Sequence, residues 1–76
     1  MPLIHMYVYS GKDDEFKKKA AEALMKAACE SMGVEKTSFT LIYEDVEKEA
    51  WVKQINEPIL ETNRDKLVIE WGEPRL

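Results

Sequence analysis

The sequence is poor in the residues that cross-link very small proteins. It has one cysteine, Cys29, and one histidine, His5, among 76 residues. Neither a disulfide nor a cysteine and histidine metal site can be built from these two, so no metal centre is expected. Cys29 stands within an apolar helical pattern and is interpreted as a small buried residue, which gives no sign of an oxidising compartment.

Excess positive charge and long apolar runs are also absent. The chain has 11 basic and 15 acidic residues, and its net charge is -4. Because nucleic acids and anionic membranes bind basic surfaces, neither partner is expected. No apolar stretch is long enough for a membrane span, and no basic segment precedes one at the N-terminus. A cytoplasmic location is therefore expected.

The shortness of the chain limits how much core it can bury. A folded chain of this size hides only about 60% of the surface that its unfolded form exposes. We therefore expect one domain, residues 1–76, that is stabilised by self-association.

The first half of the sequence has the pattern of a strand, a helix and a second strand. Residues 3–9 are apolar, aromatic or β-branched and alternate in character, which predicts a strand. Asp13 can cap a helix that Gly33 ends. The apolar residues between them recur at spacings of three and four: Phe16, Ala20, Ala23, Leu24, Ala27, Ala28 and Met32. Residues 37–44 alternate again and predict a second strand, whose apolar face packs under the helix: Phe39, Leu41 and Tyr43.

Short connections between these three elements predict a parallel pair of strands, and thus a small α/β (α+β) fold built on a β-α-β unit. The other face of the sheet carries His5, Tyr7, Ser38 and Thr40. It is too polar for a core and too apolar for water, which favours a subunit interface or a pocket. His5 is interpreted as an interface residue, or else as a polar group of that pocket.

The C-terminal part predicts a second short helix over residues 46–55, which Pro58 ends. Residues 67–71 predict a C-terminal strand that Gly72 and Pro74 close. In an oligomeric chain, such a strand is expected to pair with a sheet edge of the neighbouring subunit.

Most arrangements that carry catalysis are missing, including phosphate loops, metal-ligand spacings and a serine, histidine and acid set, so no cofactor is expected. Pro2 remains, because removal of Met1 would expose its secondary amine at the start of a strand. Burial lowers the pKa of an amine, and a neutral amine can act as a base at about pH 7. The alternative is that Pro2 merely begins the strand.

Three motifs together resemble the 4-oxalocrotonate tautomerase family of the tautomerase superfamily: residues 1–5 (Met-Pro-Leu-Ile-His), residues 10–15 (Ser-Gly-Lys-Asp-Asp-Glu) and residues 37–38 (Thr-Ser). The similarity runs without a gap from residue 2 to about residue 51. It implies a tautomerase-like domain whose sheet is completed by oligomerisation. Beyond that point the chain is similar to the longer members, which form dimers, so a dimer is favoured and a hexamer is the alternative.

The resemblance also implies roles for four residues. Pro2, freed from Met1, would be the general acid and base. Lys12 takes the place of an arginine that holds the substrate carboxylate, but it lacks the two-pronged fork; it could instead be a solvated turn residue. Thr40 replaces a second arginine, which polarises the substrate carbonyl, so that charge is absent. Trp51 matches an aromatic residue of the pocket wall and could alternatively be a core residue.

Two hypotheses follow. The first is a keto-enol tautomerase that acts on a small α-keto acid or its enol, with an aryl or alkyl tail. The second is a non-catalytic oligomeric module that binds a small molecule or has a structural role, which the loss of both arginines favours. Lys36, Lys48 or Arg64 of a neighbouring subunit could supply the missing charge, and the sequence does not choose among them.

Overall fold

The computed structural model describes residues 1–76, which form two compact units, Met1–Asp45 and Val46–Leu76. The first unit contains strand β1, Leu3–Tyr9, and helix α1, Asp14–Met32. It also contains strand β2, Thr40–Val46, except for the last residue of that strand, which belongs to the second unit. β1 and β2 form a parallel two-stranded sheet. The predicted mixed fold, built on a β-α-β unit, is confirmed.

Both ends of α1 are set by the residues that the sequence indicated. The carboxylate of Asp13 accepts a hydrogen bond of 2.8 Å from the backbone N–H of Phe16. This bond satisfies one of the donors that the start of a helix leaves without a partner. At the other end, Gly33 has a φ of 68°, and its N–H donates to the carbonyl of Cys29 at 3.0 Å. Glycine adopts this left-handed conformation without strain.

Helix α1 lies against the face of β2 that carries Tyr43. The ammonium of Lys17 is 2.6 Å from a carboxylate oxygen of Asp45 and 5.3 Å from the centre of the Tyr43 ring. The hydrogen bond to Asp45 is the main cause that raises the pKa of Lys17. A shallow cleft between the helix and the strand is lined by Ala21, Glu22, Met25, Phe39 and Leu41. The predicted orientation of the apolar face of β2 is therefore confirmed.

The side of α1 that faces the sheet differs from the predicted one. Phe16, which the apolar periodicity places inward, is 45% exposed, and Leu24 is also exposed. Lys17, which the periodicity places outward, is partly sheltered. A lysine stem can cover apolar surface while its ammonium reaches an acidic partner, so a count of apolar residues alone misjudges this rotation.

Strand β2 begins three residues later than predicted. Residues Lys36–Ser38 form a 3₁₀ turn, and the hydroxyl of Ser38 donates to the carbonyl of Glu35 at 2.8 Å. Short polar side chains that bond back to their own backbone compete with strand pairing. The strand therefore starts only at Thr40.

The second unit corrects the predicted role of Pro58. A 3₁₀ turn at Lys48–Ala50 is followed by a π-helix, Val52–Leu60, and a further 3₁₀ segment, Glu61–Lys66. Pro58 lies inside the π-helix, so the prediction that it ends a helix over residues 46–55 is wrong. In an α-helix, the proline ring clashes with a carbonyl of the preceding turn, and the wider π-helix relieves this contact.

The chain ends in a short hairpin rather than in a single strand. Strand β3, Ile69–Glu70, pairs antiparallel with strand β4, Glu73–Pro74. Trp71 and Gly72 join them with φ angles of 51° and 79°, the two positive values that a two-residue hairpin turn of type I′ requires. Pro74 thus lies within β4 instead of closing a strand. Pairing of this segment with a neighbouring subunit stays a prediction.

The first unit has no closed core of its own. Only Val46 and Ile55, both in the second unit, are buried, with 3% and 4% of their surface exposed. On the sheet face turned away from α1, Leu3 is 63% exposed and Ile42 is 43% exposed. A two-stranded sheet also leaves one edge of each strand unpaired. The sheet of this chain is therefore incomplete.

We predict that Asp13→Ala lowers the free energy of unfolding by about 1 kcal/mol, because it removes the acceptor at the start of α1. Asp13→Ser keeps an acceptor and should retain most of the stability. Urea unfolding followed by circular dichroism measures both variants. Equal stability of the alanine variant and the wild type would contradict the capping role.

Candidate active site

Pro2 lies at the start of β1, beside the start of β2. Its carbonyl oxygen accepts a hydrogen bond of 3.1 Å from the backbone N–H of Thr40. Pro2 is half-buried and Thr40 is exposed. The structure therefore brings together two of the predicted site residues. While Met1 precedes it, the ring nitrogen of Pro2 is part of an amide, and only removal of Met1 makes it a free amine.

Lys12 lies at the other end of β1. The seven residues of this strand span about 20 Å, at ~3.3 Å per residue, and Lys12 follows three residues after them. A lysine side chain cannot bridge this distance, so Pro2 and Lys12 of one chain do not share a site. The ammonium of Lys12 is instead 4.9 Å from the centre of the Phe16 ring. This contact was not predicted, and its only signal in the sequence is the spacing of four residues between Lys12 and Phe16 at the start of the helix.

His5 lies on the open face of the sheet. Its Nε2 is 2.9 Å from a carboxylate oxygen of Glu44, and its ring stacks on that of Tyr7 with the centres 4.4 Å apart. The neighbouring strands thus present a small polar cluster among exposed apolar residues. The subunit interface predicted for this face stays a prediction.

Trp51 belongs to the second unit, where it borders a cleft of about 170 Å³. The other lining residues all come from the same unit: Ile55, Leu60, Ile69, Glu70 and Trp71. These neighbours favour the interpretation of Trp51 as a core residue of its unit. Its predicted place in the pocket wall stays a prediction.

Arg64 is held by two carboxylates of its own unit. Its guanidinium nitrogens lie 2.7 Å from Glu61 and 2.5 Å from Glu70. Arg75 contacts the other oxygen of Glu70 at 3.2 Å. The hydrogen bond from Arg64 is the main cause that lowers the pKa of Glu70. The positive charge of Arg64 is therefore already balanced, which makes Arg64 a poor candidate for binding an acidic substrate.

Of the other two cations considered above, Lys36 has the more suitable position. It lies in the turn that precedes β2, at the end of the sheet where Pro2 begins β1. Lys36 is exposed, and none of the ion pairs of the chain includes it. Lys48 follows β2 in the chain and belongs to the second unit.

The structure contains no group of three or more histidine, cysteine or acidic side chains placed to hold a metal ion. None of its helices combines the length and the apolar composition that crossing a membrane requires.

Comparison with known proteins gives one family. The family model described as "Tautomerase enzyme" matches residues 2–54, which is more than half of the chain. The matched region begins at Pro2 and includes the whole β-α-β unit. The chain therefore belongs to the tautomerase family. No curated protein and no solved structure gives a significant match to it.

We predict that Glu70→Gln lowers the melting temperature of the second unit by a few degrees near neutral pH, because it removes the negative partner of Arg64 and Arg75. The pKa of Glu70 is lowered from its ordinary value of 4.5, so its contribution to stability is complete well above that value. It is lost as the pH falls through the lowered pKa. NMR signals of residues 61–76, followed during heating, measure this effect.

The difference between the wild type and Glu70→Gln should therefore shrink in acid. Lys53→Gln, which removes an exposed charge that is in no ion pair, serves as the control. A difference that stays constant down to strong acid would contradict the ionic origin of the stabilisation.

Proposed function

We propose that this protein is a keto-enol tautomerase that acts on a small α-keto acid or its enol, with Pro2 as the general acid and base. The observation that carries this proposal is that the family match begins at Pro2, the residue that starts β1. A proline nitrogen has a fixed ring and no rotatable stem, so its lone pair has a defined direction. This property suits proton transfer at a carbon atom next to a carbonyl.

The reaction needs only two proton movements. In the direction from enol to ketone, protonated Pro2 gives its proton to the carbon atom, and the enol hydroxyl loses a proton as the carbonyl forms. The amine, left neutral, takes up the proton released by the enol hydroxyl, directly or through water, and is ready for the next cycle. No atom other than hydrogen moves, and no oxidant or reductant is needed.

The position of Lys12 supports a site built between subunits. Since Pro2 and Lys12 of one chain lie at opposite ends of β1, a carboxylate near Pro2 must be held by Lys12 of another copy. The open sheet face and the unpaired strand edges favour such self-association. We favour a dimer, with a hexamer as the alternative.

Lys36 is the best candidate for the second positive charge in this proposal. Thr40 can donate a hydrogen bond to the substrate carbonyl, but it cannot balance the charge that develops in an enolate. A lysine at the same end of the sheet as Pro2 can provide that charge from within the same chain.

The alternative function is a non-catalytic oligomeric module that binds a small molecule or has a structural role. The presence of Thr40 at the second arginine position favours this alternative. The two functions can be told apart because only the tautomerase catalyses turnover, and that turnover requires a free Pro2.

We predict that conversion of enolised phenylpyruvate to the ketone requires a free Pro2. Pro2→Ala leaves a primary amine in the same place and should reduce kcat by a factor in the range of about 10² to 10⁴. A chain that keeps Met1 has no free amine at residue 2 and should lose the activity. Stopped-flow absorbance compares these two with the processed wild type. Equal rates in all three would show that Pro2 is not the general acid and base.

We also predict that a mixture of two impaired variants regains activity. Pro2→Ala and Lys12→Ala, mixed under conditions in which subunits exchange, should form hybrid dimers with one intact site each, or about a quarter of all sites. A site contained in one chain would give only the mean of the two separate rates. Analytical ultracentrifugation at the assay concentration shows whether oligomers are present, and a folded monomer would contradict the shared site.

A further inference from the structure

Lys12 has an aromatic partner and no acidic one. Its ammonium lies 4.9 Å from the centre of the Phe16 ring, within the range of a cation–π contact. None of the ion pairs of the chain includes Lys12. Phe16 is 45% exposed, so its ring stands at the surface beside the ammonium instead of in the packing against the sheet.

The backbone around this contact is held in place. Asp13, between the two residues in the chain, accepts the hydrogen bond from the N–H of Phe16 at 2.8 Å. This bond fixes the first turn of α1 and thereby the point from which the Phe16 side chain leaves the helix. The ring therefore meets Lys12 at a defined place.

Two of the three acidic residues that follow Lys12 in the chain have other partners. Asp13 caps the helix, and Glu15 pairs with Lys19 at 3.4 Å. An aromatic face attracts a cation through its quadrupole and occupies none of the hydrogen-bond donors in the way that a carboxylate does. The three N–H groups of the Lys12 ammonium thus stay available to an incoming acid.

We propose that Phe16 is a positioning residue, which holds the ammonium of Lys12 ready for the substrate carboxylate. This inference rests on the proposed function of Lys12. A lysine on its flexible stem lacks the rigid fork of an arginine, and the ring limits the directions that the stem can take. Together, Lys12 and Phe16 therefore partly replace the arginine that the family has at this position, because they present a positive charge in a defined direction.

The test uses chemically synthesised protein that begins at Pro2, with ligation at Cys29 joining two segments. Phe16 is replaced by leucine, and in separate proteins by phenylalanine with one, two or three ring fluorines. Fluorination weakens the attraction of the ring for a cation but keeps its shape. The same fluorinated series at Phe39, the only other phenylalanine, is the matched control.

With enolised phenylpyruvate, Phe16→Leu should raise KM roughly two- to fivefold, the factor that an exposed cation–π contact provides, with little change in kcat. KM should rise step by step with the number of fluorines at residue 16 and stay constant with fluorines at residue 39. In a Lys12→Ala background, the dependence on residue 16 should disappear. A structural role of Phe16 alone would give none of these graded effects.

A second measurement separates the two possible failures. The ring of Phe16 should shift the NMR signals of the Lys12 side chain upfield, and Phe16→Leu should remove the shift. Absence of this shift in the wild type, or a KM that is unaffected by fluorination while turnover still depends on Pro2, overturns the inference and leaves the proposed function standing. Absence of any Pro2-dependent turnover overturns the proposed function, and with it this role of Phe16.

Discussion

The backbone hydrogen bond from Thr40 to Pro2 sets the register of the parallel sheet, and the positions of the site residues depend on it. It places the start of β1 beside the start of β2. Because the two strands run in the same direction, the turn at Lys36 lies at this end of the sheet. The turn at Lys12 lies at the other end. Within one chain, the proposed base Pro2 and the proposed carboxylate-binding residue Lys12 are thus separated by the length of one strand.

The same small sheet explains why polar side chains do much of the packing. One helix covers one face of two strands, and no side chain of Met1–Asp45 is fully buried. Lys17 of α1 forms an ion pair with Asp45 of β2, with its ammonium near the ring of Tyr43. Such contacts contribute little at a solvated surface, and the apolar side chains of the open face contribute little while they remain exposed.

The elements that were correctly predicted from the sequence are those with local causes. Alternation of side-chain character marks β1, and the capping residues Asp13 and Gly33 mark the two ends of α1. The errors arose where a competing side-chain hydrogen bond or an uncommon helix type dominates: the Ser38 hydroxyl delays β2, and a π-helix accommodates Pro58.

The site was predictable only in part. The position of Pro2 follows from the start of the sequence together with the family resemblance, and its pairing with Thr40 follows from the parallel sheet. The pairing of Arg64 with Glu61 and Glu70 depends on how the hairpin folds back, which no local pattern indicates. The exposure of Phe16 depends on the rotation of α1, whose sheet-facing side includes the stem of Lys17 as well as apolar residues such as Ala21 and Met25.

The aromatic residues are divided between the two units in a way that makes each unit visible by itself. All three tyrosines, Tyr7, Tyr9 and Tyr43, lie in Met1–Asp45, and both tryptophans, Trp51 and Trp71, lie in Val46–Leu76. Trp51 is partly sheltered, whereas Trp71, at the hairpin turn, is 79% exposed. Ultraviolet emission excited selectively from tryptophan therefore reports on the C-terminal unit, and the absorbance of the tyrosine rings reports on the unit that carries Pro2. The natural chain thus carries two optical probes, and whether its halves unfold together can be followed without any added label.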